Sequence, residues 1–176
     1  MAVCHHHAPS MLPFCISGVE LKPVFHLGAT MGERVPFWDA RDDFGDTTLI
    51  VAKPEEGASL ARALGPHWTV LMRRHGATVA GRSLQELVFR CIYTARNAAL
   101  QLQAHALGHV SPLNAEETRL AGAFNLQPDP VARAFEYWCA RLDKTEGIAP
   151  RPRAAARAKL PTRKANGTAK RKARRQ

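Results

Sequence analysis

The chain has 176 residues, 45% of them hydrophobic, enough for one globular domain of ordinary size with its own core. No run of 18 or more apolar residues occurs, which excludes a membrane-spanning helix, and the N-terminus lacks a basic-then-apolar secretory pattern. The formal net charge of +10 is local: residues 151–176 hold eleven of the 25 Lys and Arg and none of the 15 Asp and Glu, leaving 14 basic against 15 acidic side chains in the first 150.

In chain order, residues 2–7 read as a strand and 9–16 as a short helix with Pro9 in its first turn. Residues 17–47, rich in Gly, Pro and aromatics, predict loops with short strands, one of them Val35-Pro36-Phe37-Trp38. Thr48 to Ala52 is expected to be a strand. A helix over 54–64, opened by Pro54 and Glu55 and closed by Gly65, follows it. Residues 68–72 form a strand by β-propensity, Gly76 interrupts, and 77–80 form a second.

The clearest element is a helix over 84–107. Ser83 and Glu86 have capping-box spacing, and Gly108 supplies the stop. Leu84, Leu87, Val88, Cys91, Ile92, Ala95, Ala99 and Leu102 recur every three or four residues and predict its core-facing stripe. Asn114 caps a helix to about Phe124, and a last one over 130–142 carries Phe135, Trp138 and Leu142 on one face. From residue 149 the text becomes Arg-Pro-Arg and then a Lys/Arg run, with almost no apolar residue except Ala. Such a segment cannot offset its ordering entropy, so residues 149–176 are expected to be a disordered basic tail behind a domain of residues 1–148. Its charge suits nonspecific contact with polyanions through counterion release, or mere solvation. Cys4, Cys15, Cys91 and Cys139 are widely separated and form no CxxC pair, which predicts free thiols in a reducing cytoplasm.

Chemistry concentrates in the histidines. Side chains alternate along a strand, so His5 and His7 share one face and His6 points the other way. Two imidazoles at a strand end, joined by one from a loop such as Arg74-His75-Gly76, make a three-histidine metal site with an open position. The bland alternative is that each is structural. Arg73 and Arg74, expected on opposite faces of their strand, offer one guanidinium for a substrate carboxylate, or else are surface residues. His26, in a loop, is the candidate proton donor, since imidazole titrates near neutral pH.

Taken together, these motifs resemble the class II aldolase/adducin domain family over residues 3 to about 117. The resemblance rests on His5-His6-His7-Ala8, Leu71-Met72-Arg73-Arg74-His75-Gly76, Phe44-Gly45-Asp46-Thr47, Gly81 and Ser83-Leu84-Gln85-Glu86. It implies a three-layer α/β/α fold with a mixed, largely antiparallel central sheet, and His5, His7 and His75 as ligands of a divalent metal such as Zn²⁺, Mn²⁺ or Mg²⁺. It also implies a homotetramer with active sites between subunits. The family domain begins well upstream of the H-x-H strand with anion-binding loops and an acidic base. The expectation is therefore a fold missing its N-terminal part, which binds metal weakly and turns over negligibly by itself.

No Tyr precedes Tyr93, whereas sugar-phosphate aldolases of the family carry a tyrosine acid near residues 25–28. Residues 5–11, 25–28, 71–76, Trp38-Asp39 and 135–138 resemble instead the branch that decarboxylates dihydroxyphthalate or 2-hydroxy-3-carboxymuconic semialdehyde. The implied function is a metal-dependent lyase acting on a small hydroxylated carboxylate. Loss of CO₂ leaves an enolate-like anion that a chelated cation stabilises. An aldolase or dehydratase acting on a sugar phosphate and a non-enzymatic, adducin-like interaction module are the alternatives. In a tetramer Tyr137 and Trp138 are placed to cover a neighbouring subunit's site; packing within one subunit explains them equally.

Overall fold

A computed structural model describes residues 1–146; the basic tail at 149–176 lies outside the described residues. Four short strands, β1 (Ala2–His6), β2 (Phe37–Trp38), β3 (Thr69–Met72) and β4 (Gly76–Gly81), form one sheet in the order β1-β4-β3-β2. The β1–β4 and β4–β3 pairs are antiparallel and β2–β3 is parallel, the mixed, largely antiparallel sheet expected. Six helices accompany it: α1 (Leu12–Ser17), α2 (Arg41–Phe44), α3 (Pro54–Leu64), α4 (Leu84–Leu107), α5 (Ala115–Asn125) and α6 (Pro128–Glu146). Among the described residues no helix is long and apolar enough to cross a membrane.

Alternation along β3 sorts its side chains into two cores. Leu71 packs with Ala77, Met11, Phe14, Cys15 and Ala98 on the α4 side. Val70 and Met72 pack with Trp38, Val51 and Leu60 on the α3 side. The sheet thus lies between two helical layers, an α/β fold in three layers.

Several expectations are corrected. Thr48 to Ala52 is not a strand. The Leu49 N–H donates to Thr47 Oγ1 at 3.1 Å, and the Ala52 and Lys53 N–H groups donate to Glu56 Oε2 at 2.8 and 3.0 Å. Those donors are satisfied locally, and Leu49 takes a left-handed φ of 66°, which breaks any ladder.

Arg73 and Arg74 are not on opposite strand faces. The Met72–Gly76 pairing ends β3 at Met72, so both lie in the turn between β3 and β4.

The stripe of α4 is only half right. Leu87 is buried, but Leu84 is 58% exposed, and the deepest positions include the polar Arg90, Thr94, Asn97 and Gln101. Arg90 pairs with Glu86 and donates to the Thr30 carbonyl, whereas Asn97 and Gln101 meet the backbone of segment 20–24 instead of apolar surface. Asn97 accepts from Val24 N–H at 2.8 Å and donates to the Lys22 carbonyl at 2.7 Å. Gln101 accepts from Lys22 N–H at 2.9 Å and donates to the Glu20 carbonyl at 2.8 Å. Two amides thus do for this segment what a neighbouring strand does elsewhere. The start and stop of α4 match the expectation, with Ser83 accepting from Glu86 N–H at 3.1 Å. Glu86 does not complete a capping box, because its carboxylate pairs with Arg82 and Arg90. On α6, Phe135 and Trp138 are half-buried while Leu142 is 53% exposed.

Candidate metal centre

β1 and the β3–β4 turn meet at one end of the sheet. Antiparallel pairing sets His5 opposite Thr78 and His6 opposite Ala77. The pleat then sends His5 toward the α3 layer, and His7 follows just past the strand end. His75 closes the turn, its N–H donating to the Met72 carbonyl at 3.1 Å. From beneath, α1 holds this turn. The Cys15 carbonyl accepts from Arg74 N–H at 2.8 Å, and the Cys15 thiol donates to the Gly76 carbonyl at 3.2 Å. Arg74 sits at φ 52°, a left-handed conformation unusual for a residue other than glycine.

The three imidazoles converge. One candidate ligand atom from each of His5, His7 and His75 lies within 4.8 Å of the other two, and the ring centroids are 4.7 to 5.0 Å apart. The His5 and His7 Nε2 atoms are 3.0 Å apart. Gly76 makes this packing possible. A Cβ there would stand 2.6 Å from the His6 carbonyl oxygen and 2.7 Å from the His7 ring. The glycine after the histidine is therefore a steric requirement of the cluster.

Thr78 is the hydrogen-bond partner of His5 on the ring edge away from His7. Its hydroxyl lies 3.3 Å from His5 Nδ1 and 3.5 Å from Met72 Sδ. With Nδ1 turned to Thr78, Nε2 of His5 is the nitrogen that faces His7. Partial burial, with the neighbouring histidines adding to it, pushes His5 and His75 below the ordinary imidazole value of 6.5. Both are thus neutral near neutral pH, the form that binds a metal. His75 Nδ1 is buried without a hydrogen-bond partner among the described residues. Neutral imidazoles and a mutually close donor set fit a divalent cation.

The other candidates are placed differently. Arg73 Nε lies 3.3 Å from Asp39 Oδ2, a carboxylate also bound by Arg41, so Arg73 is held away in an ion-pair network. Arg74 is exposed and has no ion pair among the described residues. His26 does not line the histidine cavity. It lies on a separate cavity of about 640 Å³ with Phe89, Tyr93, Arg96, Tyr137 and Trp138. Within one chain the structure therefore brings together His5, His7 and His75, but not His26. His6 turns the other way, its Nδ1 accepting from Ala8 N–H at 3.3 Å. Sequence reasoning missed Thr78, whose signal was its place opposite His5 in a two-strand register. It also missed the cavity lining at Ile50, Val51 and Leu60, which a strand at 48–52 would not have put there.

The Class II Aldolase and Adducin N-terminal domain model matches residues 1–102, more than half of the sequence. The chain belongs to the class II aldolase and adducin family. It is similar to Decarboxylase tropJ of Talaromyces stipitatus, 30% identical over 164 residues that cover 81% of this chain and 61% of that protein. It is also similar to the 3,4-dihydroxyphthalate decarboxylase of Arthrobacter keyseri, 27% identical over 150 residues, 78% of this chain and 58% of that protein. Among solved structures, the L-fuculose 1-phosphate aldolase of Glaciozyma antarctica superposes with a TM-score of 0.63 at 18% identity. That superposition covers 82% of this chain and 52% of the aldolase, and shows the shared fold. This family member thus spans about three-fifths of the length of the two decarboxylases.

Proposed function

We propose that this chain carries the metal centre of a lyase that removes CO₂ from a hydroxylated aromatic or muconic carboxylate. The observation that carries the reading is the convergence of His5, His7 and His75. The similarity to two proteins named decarboxylases gives it direction. His5, His7 and His75 hold a divalent cation, with Thr78 orienting His5 and Gly76 leaving room for the rings. When bound, the cation supplies Lewis-acid stabilisation of the negative charge that develops on substrate oxygens as CO₂ departs.

The chain's own groups bind and orient. Arg74, next to His75 in the chain but not among the residues lining the histidine cavity, is the arginine assigned to a substrate carboxylate, since Arg73 is engaged by Asp39. His26 is assigned as proton donor to the site of a neighbouring subunit in a homotetramer, because it shares its cavity with Tyr137 and Trp138. Any polyanion contact belongs to the basic tail. All four cysteines are free, and the compartment proposed for the protein is the reducing cytoplasm.

A sugar-phosphate aldolase or dehydratase is the second reading, supported by the fold shared with L-fuculose 1-phosphate aldolase. Retention of all three histidines speaks against a purely adducin-like interaction module. The test is CO₂ release from 3,4-dihydroxyphthalate and from 2-hydroxy-3-carboxymuconic semialdehyde, with His75→Ala as control. Release that depends on His75 supports the proposal. Cleavage of L-fuculose 1-phosphate without CO₂ release from either acid would replace it with the second reading.

A further inference from the structure

The histidine cavity, about 460 Å³, has two unlike sides. One presents the imidazoles and the Thr78 hydroxyl. The other presents Ile50, Val51, Leu60 and Met72. Ile50 is 62% exposed, a large β-branched side chain held in water at the mouth of a polar cluster. Among the described residues lining the cavity there is no Lys, Arg, Asn or Gln. The side chains of Ile50, Val51, Leu60 and Met72 offer no hydrogen-bond partner of use to a polyol hydroxyl or a phosphate.

The apolar side is also held in place. Before it, Thr47 takes the Leu49 N–H; after it, Glu56 takes the Ala52 and Lys53 N–H groups. Between these two fixings Leu49 keeps its left-handed φ of 66°, a conformation that persists only where surrounding structure enforces it. Leu60 comes from α3, which is tied to the sheet where Trp38 Nε1 donates to Ser59 Oγ at 2.9 Å. Ser59 donates in turn to Asp43, next to α3 in space.

We infer that Ile50, backed by Val51 and Leu60, is the specificity wall of this centre, selecting hydroxy acids that carry a flat apolar ring. The inference rests on the metal-centre reading above and deepens it. A ring-bearing hydroxy acid turns its carboxylate and hydroxyl toward the histidines and lays its ring on Ile50 and Leu60. A polyol in the same position leaves hydroxyls unpaired against Ile50, Val51 and Leu60, which disfavours it.

The test uses cobalt(II)-loaded protein and two probes with the same hydroxyl–carboxylate pair. Salicylate has a ring and glycolate has none. Cobalt visible absorption first reports metal uptake and then the binding of each probe. Salicylate binds more tightly than glycolate, and Ile50→Asn weakens salicylate by about tenfold while leaving glycolate within about twofold. Ile50→Leu, which keeps the apolar face, retains salicylate binding. Ile50 is exposed, so the variants fold, and unchanged cobalt uptake verifies it. A normal cobalt spectrum with no preference for salicylate, or equal effects of Ile50→Asn on both probes, overturns the wall alone. Absence of a cobalt spectrum overturns the metal centre and the wall with it.

Discussion

Gly76 and Thr78 flank the heart of the site, and each makes a separable contribution. Gly76→Ala forces a methyl group against the His6 carbonyl and the His7 ring, at 2.6 and 2.7 Å. Overpacking of this kind costs about 1–3 kcal/mol, and here one of the displaced groups, the His7 ring, is a proposed ligand. The variant is expected to lose both thermal stability and zinc uptake, measured by calorimetric titration. Unchanged zinc affinity in a destabilised protein would show that His7 tolerates the shift. Thr78→Val removes the hydrogen-bond partner of His5 Nδ1 but keeps the volume. Loss of such an outer partner typically weakens metal binding about 10- to 100-fold with little change in fold. An unchanged zinc affinity in Thr78→Val would remove Thr78 from the account. The histidines themselves were legible from strand parity and spacing. Gly76 was legible only as a break between strands, because the atoms that crowd it come from residues 5–7, about seventy positions away.

Among the elements, α4 shows what a periodicity argument misses. Its length, cap and stop follow from local chemistry and were readable as text. Its buried face was not, since Asn97 and Gln101 look like surface residues until segment 20–24 arrives with backbone groups to satisfy. Asn97 is fully buried, and Asn97→Ala strands the Val24 N–H and the Lys22 carbonyl. The expected cost is about 1–3 kcal/mol in denaturant unfolding, against less than about 0.5 kcal/mol for the exposed control Gln103→Ala. Equal effects would mean the amide ladder contributes nothing.

The loop before α3 carries a pH signature. Backbone N–H donors of Ala52 and Lys53 hold the Glu56 carboxyl below its ordinary value of 4.5. A depressed carboxyl stabilises the fold above its ordinary value and loses that contribution as pH falls through the folded one. The melting temperature of wild type should therefore exceed that of Glu56→Gln near pH 7, with the gap narrowing as the solution is acidified below about 4.5. A gap that does not change with pH would show that the charge on Glu56 is immaterial. The same stretch explains why 48–52 was misread. Its β-branched composition suggests a strand, but Thr47 and Glu56 capture the donors a strand needs.

Across the whole molecule, the three layers bring the end of β1, the β3–β4 turn and the loop before α3 to one place, and each contributes one part of the site. β1 brings His5 and, just beyond it, His7; the turn brings His75; the loop brings the apolar wall. That convergence is a property of sheet order β1-β4-β3-β2, which sets residues 5 and 78 side by side. Sequence text could pair the motifs through family resemblance, but it could not place the wall, whose position depends on α3 packing against Trp38. The central claim is that the three histidines jointly ligate one cation. X-ray absorption at the zinc edge of the stoichiometrically loaded protein tests it most directly. The account predicts three imidazole nitrogens at about 2.0–2.1 Å, falling to two in His75→Ala. A first shell of oxygens, or of a sulfur from neighbouring Cys4, with no change in His75→Ala, would contradict it.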